Sequence, residues 1–201
     1  MPTRTILPLD EINRLELTLR SKQTVSSKTG KREYKDRDEL FDIIAYLLET
    51  AYIEGTADAA AQINALVGYR LLDDTYDVGR SREVIDLRLK DGKDWRDRLA
   101  DHLDNGDDVA PIMAMVESEC QRDANTGSLD KAWDSNLDLT KTWETMLDDR
   151  VREQHQYLEG VTVGIHDKFY TDDGDSAYVP GGFELAENNV NCRCHLIYGM
   201  M

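Results

Sequence analysis

Two segments near the C-terminus decide how this chain is read: T-W-E-T-M-L-D-D-R-V-R-E-Q-H-Q-Y-L-E-G (Thr142 to Gly160) and N-N-V-N-C-R-C-H-L-I-Y (Asn188 to Tyr198). Just before and into the first, Leu139, Lys141, Trp143 and Thr145 alternate with polar neighbours, and the period of two predicts a strand over 139–146. Asp148 or Asp149 is placed to cap a helix over 150–159, which Gly160 ends. Val151, His155 and Leu158 lie three or four apart and share a face of that helix. Val161, Val163 and Ile165 alternate as a second strand. Asp172 to Gly174 reads as a turn, Pro180-Gly181-Gly182 as a loop, and Cys194 to Tyr198 as a last short strand. Residues 139–201 therefore read as a compact α+β unit.

Upstream the periodicity is helical. Leu40, Ile43, Ile44, Leu47, Leu48 and Ala51 fall on one face of a helix that opens after Asp36 and Asp38. Gly55 is expected to interrupt it, with a second piece over 57–67 ending at Gly68. A third helix is expected after Ser81 as N-cap, burying Val84, Leu87, Trp95, Leu99 and Leu103, with Asp91 to Lys93 able to split it. Pro111 suits the first turn of a fourth, which buries Ile112, Met115, Val116 and Cys120 and ends near Gly127. Residues 36–138 are thus a helical region, and the whole chain is α+β.

Residues 1–35 stand apart in charge. They hold eight Lys/Arg against four Asp/Glu, whereas the remainder carries 16 against 36, a net charge of -20. Leu7, Ile12, Leu15 and Leu19 predict one short amphipathic helix, followed by a turn-rich basic linker. The expectation is a basic arm outside the main core, which either docks on another molecule or, as the simpler reading preferred from composition, is a solubilising or floppy terminus. A body so acidic repels phosphate, so bulk nucleic-acid binding is disfavoured. No apolar run reaches the roughly 18 residues of a membrane helix, and residues 1–10 lack a signal-peptide core, so a protein that stays where it is made is expected. Cys192 and Cys194 are one residue apart and would close a strained ring, which argues against a disulfide framework.

The order Trp143, D-D-R-V-R-E-Q-H, Gly160, Phe169, a Pro-Gly loop and N-C-R-C resembles the phage Mu F-like minor head protein family. The likeness is strong over residues 139–198 and fades back to about 107; residues 1–80 carry no matching motif. Relatives often have Arg-Thr-Glu on the preceding helix, where this chain has Val116-Glu-Ser-Glu119. The resemblance implies a minor capsid or head-morphogenesis protein, present in few copies near the portal vertex, in the virion head and assembled in the host cytoplasm. It implies the portal, major capsid or scaffold protein as partners, no membrane, and nucleic acid at most transiently.

The chemistry of the tail has three readings. In the first, Trp143, Asp148, Asp149, Arg150, Arg152, His155 and Arg193 form a metal-free polar core with ordinary packed cysteines. In the second, His155, Cys192 and Cys194 bind zinc, with Asp149 or His195 as a fourth ligand. The third is an enzyme, a zinc-dependent or Cys/His hydrolase with His155 as base and a cysteine as nucleophile. No oxyanion loop, phosphate cradle or pocket motif supports that third reading. A protein without enzymatic activity is expected, and the metal-free core is narrowly preferred to zinc.

Overall fold

The computed structural model describes residues 8–89 and 91–201. Its elements run α1 (Leu9–Lys22), β1 (Gln23–Val25), β2 (Arg32–Tyr34), α2 (Arg37–Val67), α3 (Val78–Ile85), α4 (Trp95–Asn105) and α5 (Val109–Asp134). The tail adds β3 (Leu139–Glu144), α6 (Glu153–Leu158), β4 (Thr162–Gly164), β5 (Phe169–Tyr170), β6 (Ser176–Ala177) and β7 (His195–Met200). The chain is α+β, with its helices mostly N-terminal and its small sheets at the C-terminus.

The long helices α2 and α5 form the spine, and glycines set how closely they meet. A Cβ at Gly55 would lie 1.8 Å from the carbonyl oxygen of Ala124, and one at Gly127 would lie 2.3 Å from that of Tyr52. Helix α2 therefore runs unbroken through Gly55, where an interruption was expected. The glycine marks a close backbone approach rather than a stop. Helix α5 likewise continues past Gly127 to Asp134.

Two hydrophobic clusters hang on this spine. One gathers Leu40, Ile44, Leu47 and Leu48 of α2, Trp95 and Leu99 of α4, and Ile112, Val116 and Cys120 of α5. The other joins Ala59 and Ile63 of α2 and Leu129 and Ala132 of α5 to Trp143, Phe169, Phe183 and Leu196 of the tail. Two helices thus carry the core of both halves.

The expectation of an arm outside the core is corrected. Ile12, Leu15 and Leu19 of α1 are buried in the first cluster, because a leucine stripe at helical spacing gains more by packing than by hydration. Leu7 lies outside the described residues. The basic linker is a hairpin, β1 against β2, seated on the α4–α5 turn. Tyr34 donates to the Asp107 carbonyl at 2.8 Å and Arg32 pairs with Asp108 at 3.1 Å. Gly106, at φ +71, leaves room there for the Arg32 backbone.

One further boundary differs, and the split that the sequence allowed at Asp91 to Lys93 is found. Asp77, not Ser81, caps α3; Ser81 is buried inside that helix. Lys93 and its neighbours separate α3 from α4, which Asp94 opens with a reciprocal capping box.

The tail sheet has the order β4-β3-β7, all antiparallel, with Trp143 opposite Leu196 and Glu144 opposite His195. Leu139, Lys141 and Trp143 point into the core, in keeping with their alternation. The free edge of β7 is closed by a side chain of α2. Gln62 accepts from the Tyr198 N–H at 3.1 Å and donates to the Leu196 carbonyl at 3.5 Å. An amide on a helix so stands in for a neighbouring strand and removes an open sheet edge. Among the described residues no helix is long and apolar enough to cross a membrane.

Candidate functional site

The site is assembled where α6, the Cys192–Cys194 turn and the middle of α5 meet. Strand β3 delivers Trp143 to the centre of the second cluster, fully buried. Its ring packs edge-on against His155 at 5.3 Å and Phe169 at 5.2 Å. Helix α6 begins at Glu153, after Arg152, so it is shorter than expected, and neither Asp148 nor Asp149 caps it. Its inward face carries His155 and Leu158.

The cysteine turn is held from several sides. Asn189 accepts from Phe183 N–H at 2.9 Å and donates to the Phe183 and Leu185 carbonyls at 2.6 and 3.2 Å. Asn191 takes a left-handed conformation at φ 57, which asparagine tolerates. On the helix side, Gln121 and Asn125 both donate to the Cys194 carbonyl, at 2.9 and 3.0 Å. Asn125 also reaches the Pro180 carbonyl at 3.2 Å.

This framework brings His155 Nδ1 to 3.6 Å from Cys192 Sγ and 3.5 Å from Cys194 Sγ, and all three side chains are buried. His155 Nε2 meets no hydrogen-bond partner among the described residues. Cys192 is held well below the ordinary thiol range, chiefly by a hydrogen bond from Cys194 and also by His155. Cys194 is pushed up by that same bond and by burial. Of the two sulfurs, Cys192 is the one that gives up its proton first. The adjoining cavity, lined among others by Met146, Arg152 and Asn191, measures ≈ 10 Å³.

The charged residues expected around this point take separate places. Arg193 grips Asp148 with two bonds, of 2.8 and 2.6 Å, a fork-to-fork pairing. That contact, more than the Arg150 N–H, holds the Asp148 carboxyl down at about 2. Arg150 stands largely in solvent, 3.4 Å from Asp148. Arg152 donates to the carbonyls of Glu187 and Val190, tying α6 to the turn before Cys192. Asp149 is exposed and His195 faces Glu144 at 3.5 Å, so neither joins the His155–cysteine group. The fourth-ligand expectation is corrected on geometry: His195 opens β7, whose pleat turns it toward Glu144 across the pair.

Sequence reading missed the polar stripe on α5. Glu119, Gln121, Arg122, Asp123, Asn125 and Ser128 are all buried. Arg122 pairs with both Glu119 and Asp123, and Arg98 reaches Glu119 at 3.2 Å. Burial lifts the Asp123 carboxyl to about 7, with Arg122 pulling it back. Residues 119–125 are buried without a break, so the helix is enclosed on every side there and its polar groups need bonded partners. A second omission is Asp175, a buried carboxylate that accepts from the Ser176, Glu184 and Leu185 N–H groups and from Asn188.

Comparison with known proteins bears on this geometry directly. The profile of the family described as "Phage Mu protein F like protein" matches residues 82–197, reaching further upstream than the motif likeness. Among curated relatives, minor head protein GP7 of Bacillus phage SPP1 is 34% identical over 62 residues, 31% of this chain and 20% of that protein. The NAD(+)--arginine ADP-ribosyltransferase EFV of Enterococcus faecalis is 35% identical over 68 residues, 34% of this chain and 14% of that protein. The chain thus spans a fifth or less of the length of these two relatives. No solved structure matches. The matched span holds the cysteine turn, α6, the polar stripe of α5 and β3, so the residues that build the site are those the profile covers, and the chain belongs to the Phage Mu protein F like family.

Proposed function

We propose that this chain is a minor head protein that acts in phage head morphogenesis, present in few copies and placed near the portal vertex. The observation that carries the reading is the family match over residues 82–197, together with a relative named as a minor head protein. On this reading its partners are the portal, major capsid or scaffold protein, and it resides in the virion head after assembly in the host cytoplasm. The role is architectural rather than enzymatic. His155 and both cysteines are buried, and the cavity beside them, ≈ 10 Å³, has room for about one water molecule. The likeness to an ADP-ribosyltransferase covers 14% of that enzyme, which gives no support to transferase chemistry here.

The helical region 36–138 and the unit 139–201 are proposed as the two working parts of the chain. Helices α2 and α5 would transmit load between them, since both helices enter both clusters.

Quantitative peptide mass spectrometry on purified particles and on DNA-free proheads tests the proposal. A small, reproducible number of copies per portal ring in both preparations is expected. Absence from both would overturn the head role, and a copy number matching the major capsid protein would overturn the minor one.

A further inference from the structure

We infer that His155, Cys192 and Cys194 are the three protein ligands of a zinc centre whose fourth position is left to water. The inference stands on the side chains alone and is independent of the head-assembly reading.

Geometry is the first support. With Zn–S near 2.3 Å and Zn–N near 2.0–2.1 Å, the nitrogen-to-sulfur edge of a tetrahedron is about 3.6 Å. The two Nδ1-to-Sγ separations are 3.6 and 3.5 Å, and all three donor atoms lie within 4.8 Å of one another. A single nitrogen lies at that distance from both sulfurs.

Charge is the second support. Two thiolates and a neutral imidazole around a divalent cation sum to zero, the state that a buried site tolerates. The neighbouring cations do not compete for the sulfurs, because Arg193 is taken up by Asp148 and Arg152 by two carbonyls. Thiolate and imidazole donors select zinc over magnesium or calcium, which prefer oxygen.

Enclosure is the third. The turn is fixed by protein hydrogen bonds through Asn189, Gln121 and Asn125. The adjoining cavity of ≈ 10 Å³ matches one water as the fourth ligand. One feature weakens affinity. The His155 ring packs by those of Trp143 and Phe183, and its Nε2 lacks the outer hydrogen bond that ligating histidines usually make. Loss of such a bond weakens metal binding by about 10- to 100-fold.

The test uses the full chain, expressed in zinc-supplemented medium and purified under reducing conditions without chelator. Elemental analysis by inductively coupled plasma mass spectrometry is expected to find one zinc per chain. Protein stripped by chelation should take up one Co²⁺, giving the near-ultraviolet thiolate-to-cobalt band and the visible bands of a tetrahedral ion. Cys120→Ser, whose side chain is buried in the other hydrophobic cluster and is not one of the three donors, should keep both signals, and Cys192→Ser and His155→Gln should lose them. Because those two variants can fail to fold, wild type alone is decisive. Folded wild type with no zinc and no thiolate-to-cobalt band would overturn the centre in favour of a hydrogen-bonded thiol–imidazole cluster. A folded Cys192→Ser variant that retains full zinc would overturn it equally, since the metal would then sit elsewhere.

Discussion

Replacing Gly55 by alanine probes the contact on which both clusters depend. The added methyl carbon would lie 1.8 Å from the Ala124 oxygen, 2.6 Å from its carbonyl carbon and 2.9 Å from its Cα. A comfortable carbon–oxygen contact is about 3.3 Å, so α2 and α5 must separate by more than about 1 Å at this point, and a gap of that size forfeits up to about half of each dispersion contact. The loss is felt along the seam formed by Ala51, Tyr52, Thr56, Ala59, Ala124 and Gly127, and overpacking of this kind costs about 1–3 kcal/mol or more. Alanine returns up to about 1 kcal/mol through helix propensity. The expected net is a destabilisation of about 2 kcal/mol, or a fall in Tm of about 4–8 °C for a chain of this size. Urea unfolding followed by tryptophan fluorescence reads it. Gly79→Ala on α3 is the control, because there the methyl meets only Asp77 Oδ1 at 3.1 Å. That variant should change stability by no more than about 1 kcal/mol in either direction. A Gly55→Ala protein as stable as wild type would refute the close approach of the two helices.

Two further outcomes concern buried charge. Burial raises the Asp123 carboxyl to about 7, so its proton-linked stability is full below the unfolded value near 4 and lost as pH climbs through 7. Asp123→Asn has no such titration; relative to wild type it should gain up to about 4 kcal/mol between pH 4 and pH 8. Parallel urea midpoints across that range would contradict this. Lys141 is fully buried, its ammonium lies over the Phe169 and Tyr178 rings at 5.6 and 5.2 Å, and burial lowers it to about 8. A lowered lysine is a cost to the fold below pH 8 that fades as pH rises toward the unfolded value. Lys141→Met should therefore stabilise at pH 7 by about 1 kcal/mol after loss of the cation–π contacts, and the gain should shrink by pH 10. Thermal scans at the two pH values decide it, and a destabilised Met variant at pH 7 would show that the ammonium has a partner worth more than its burial cost.

What could be read from the sequence followed a physical divide. Local patterns came through where one face of an element decides its conformation: the alternation of Leu139, Lys141 and Trp143 gave β3, and the spacing of Leu40, Ile44, Leu47 and Leu48 gave the first half of α2. The grouping of His155 with Cys192 and Cys194 was also legible, since short spacing and rare residue types narrow the choices before any fold is known. Contacts between distant segments were not legible. Gly55 and Gly127 carry the same local signal as helix breakers, and only the arrival of another backbone turns that signal into a crossing point. Residues 9–35 show the same limit from the other side. Their positive charge suggested an arm held away from the body, yet three buried side chains on α1 and a tyrosine on β2 bind them to it.

The polar stripe of α5 explains why the tail could be recognised while its attachment could not. Gln121 and Asn125 have no local role in a helix, where each would ordinarily face water. Both instead point at a carbonyl some 70 residues later in the chain, that of Cys194. The cysteine turn thus owes its shape to a helix outside the small α+β unit, and the unit owes its position to the turn. Gln62 on α2 repeats the arrangement at β7. It follows that the site cannot be cut out at residue 139 and keep its geometry. Buried amides left without their partners cost about 1–3 kcal/mol each, and Gln121 and Asn125, with the half-buried Gln62, fasten the two halves of this molecule together.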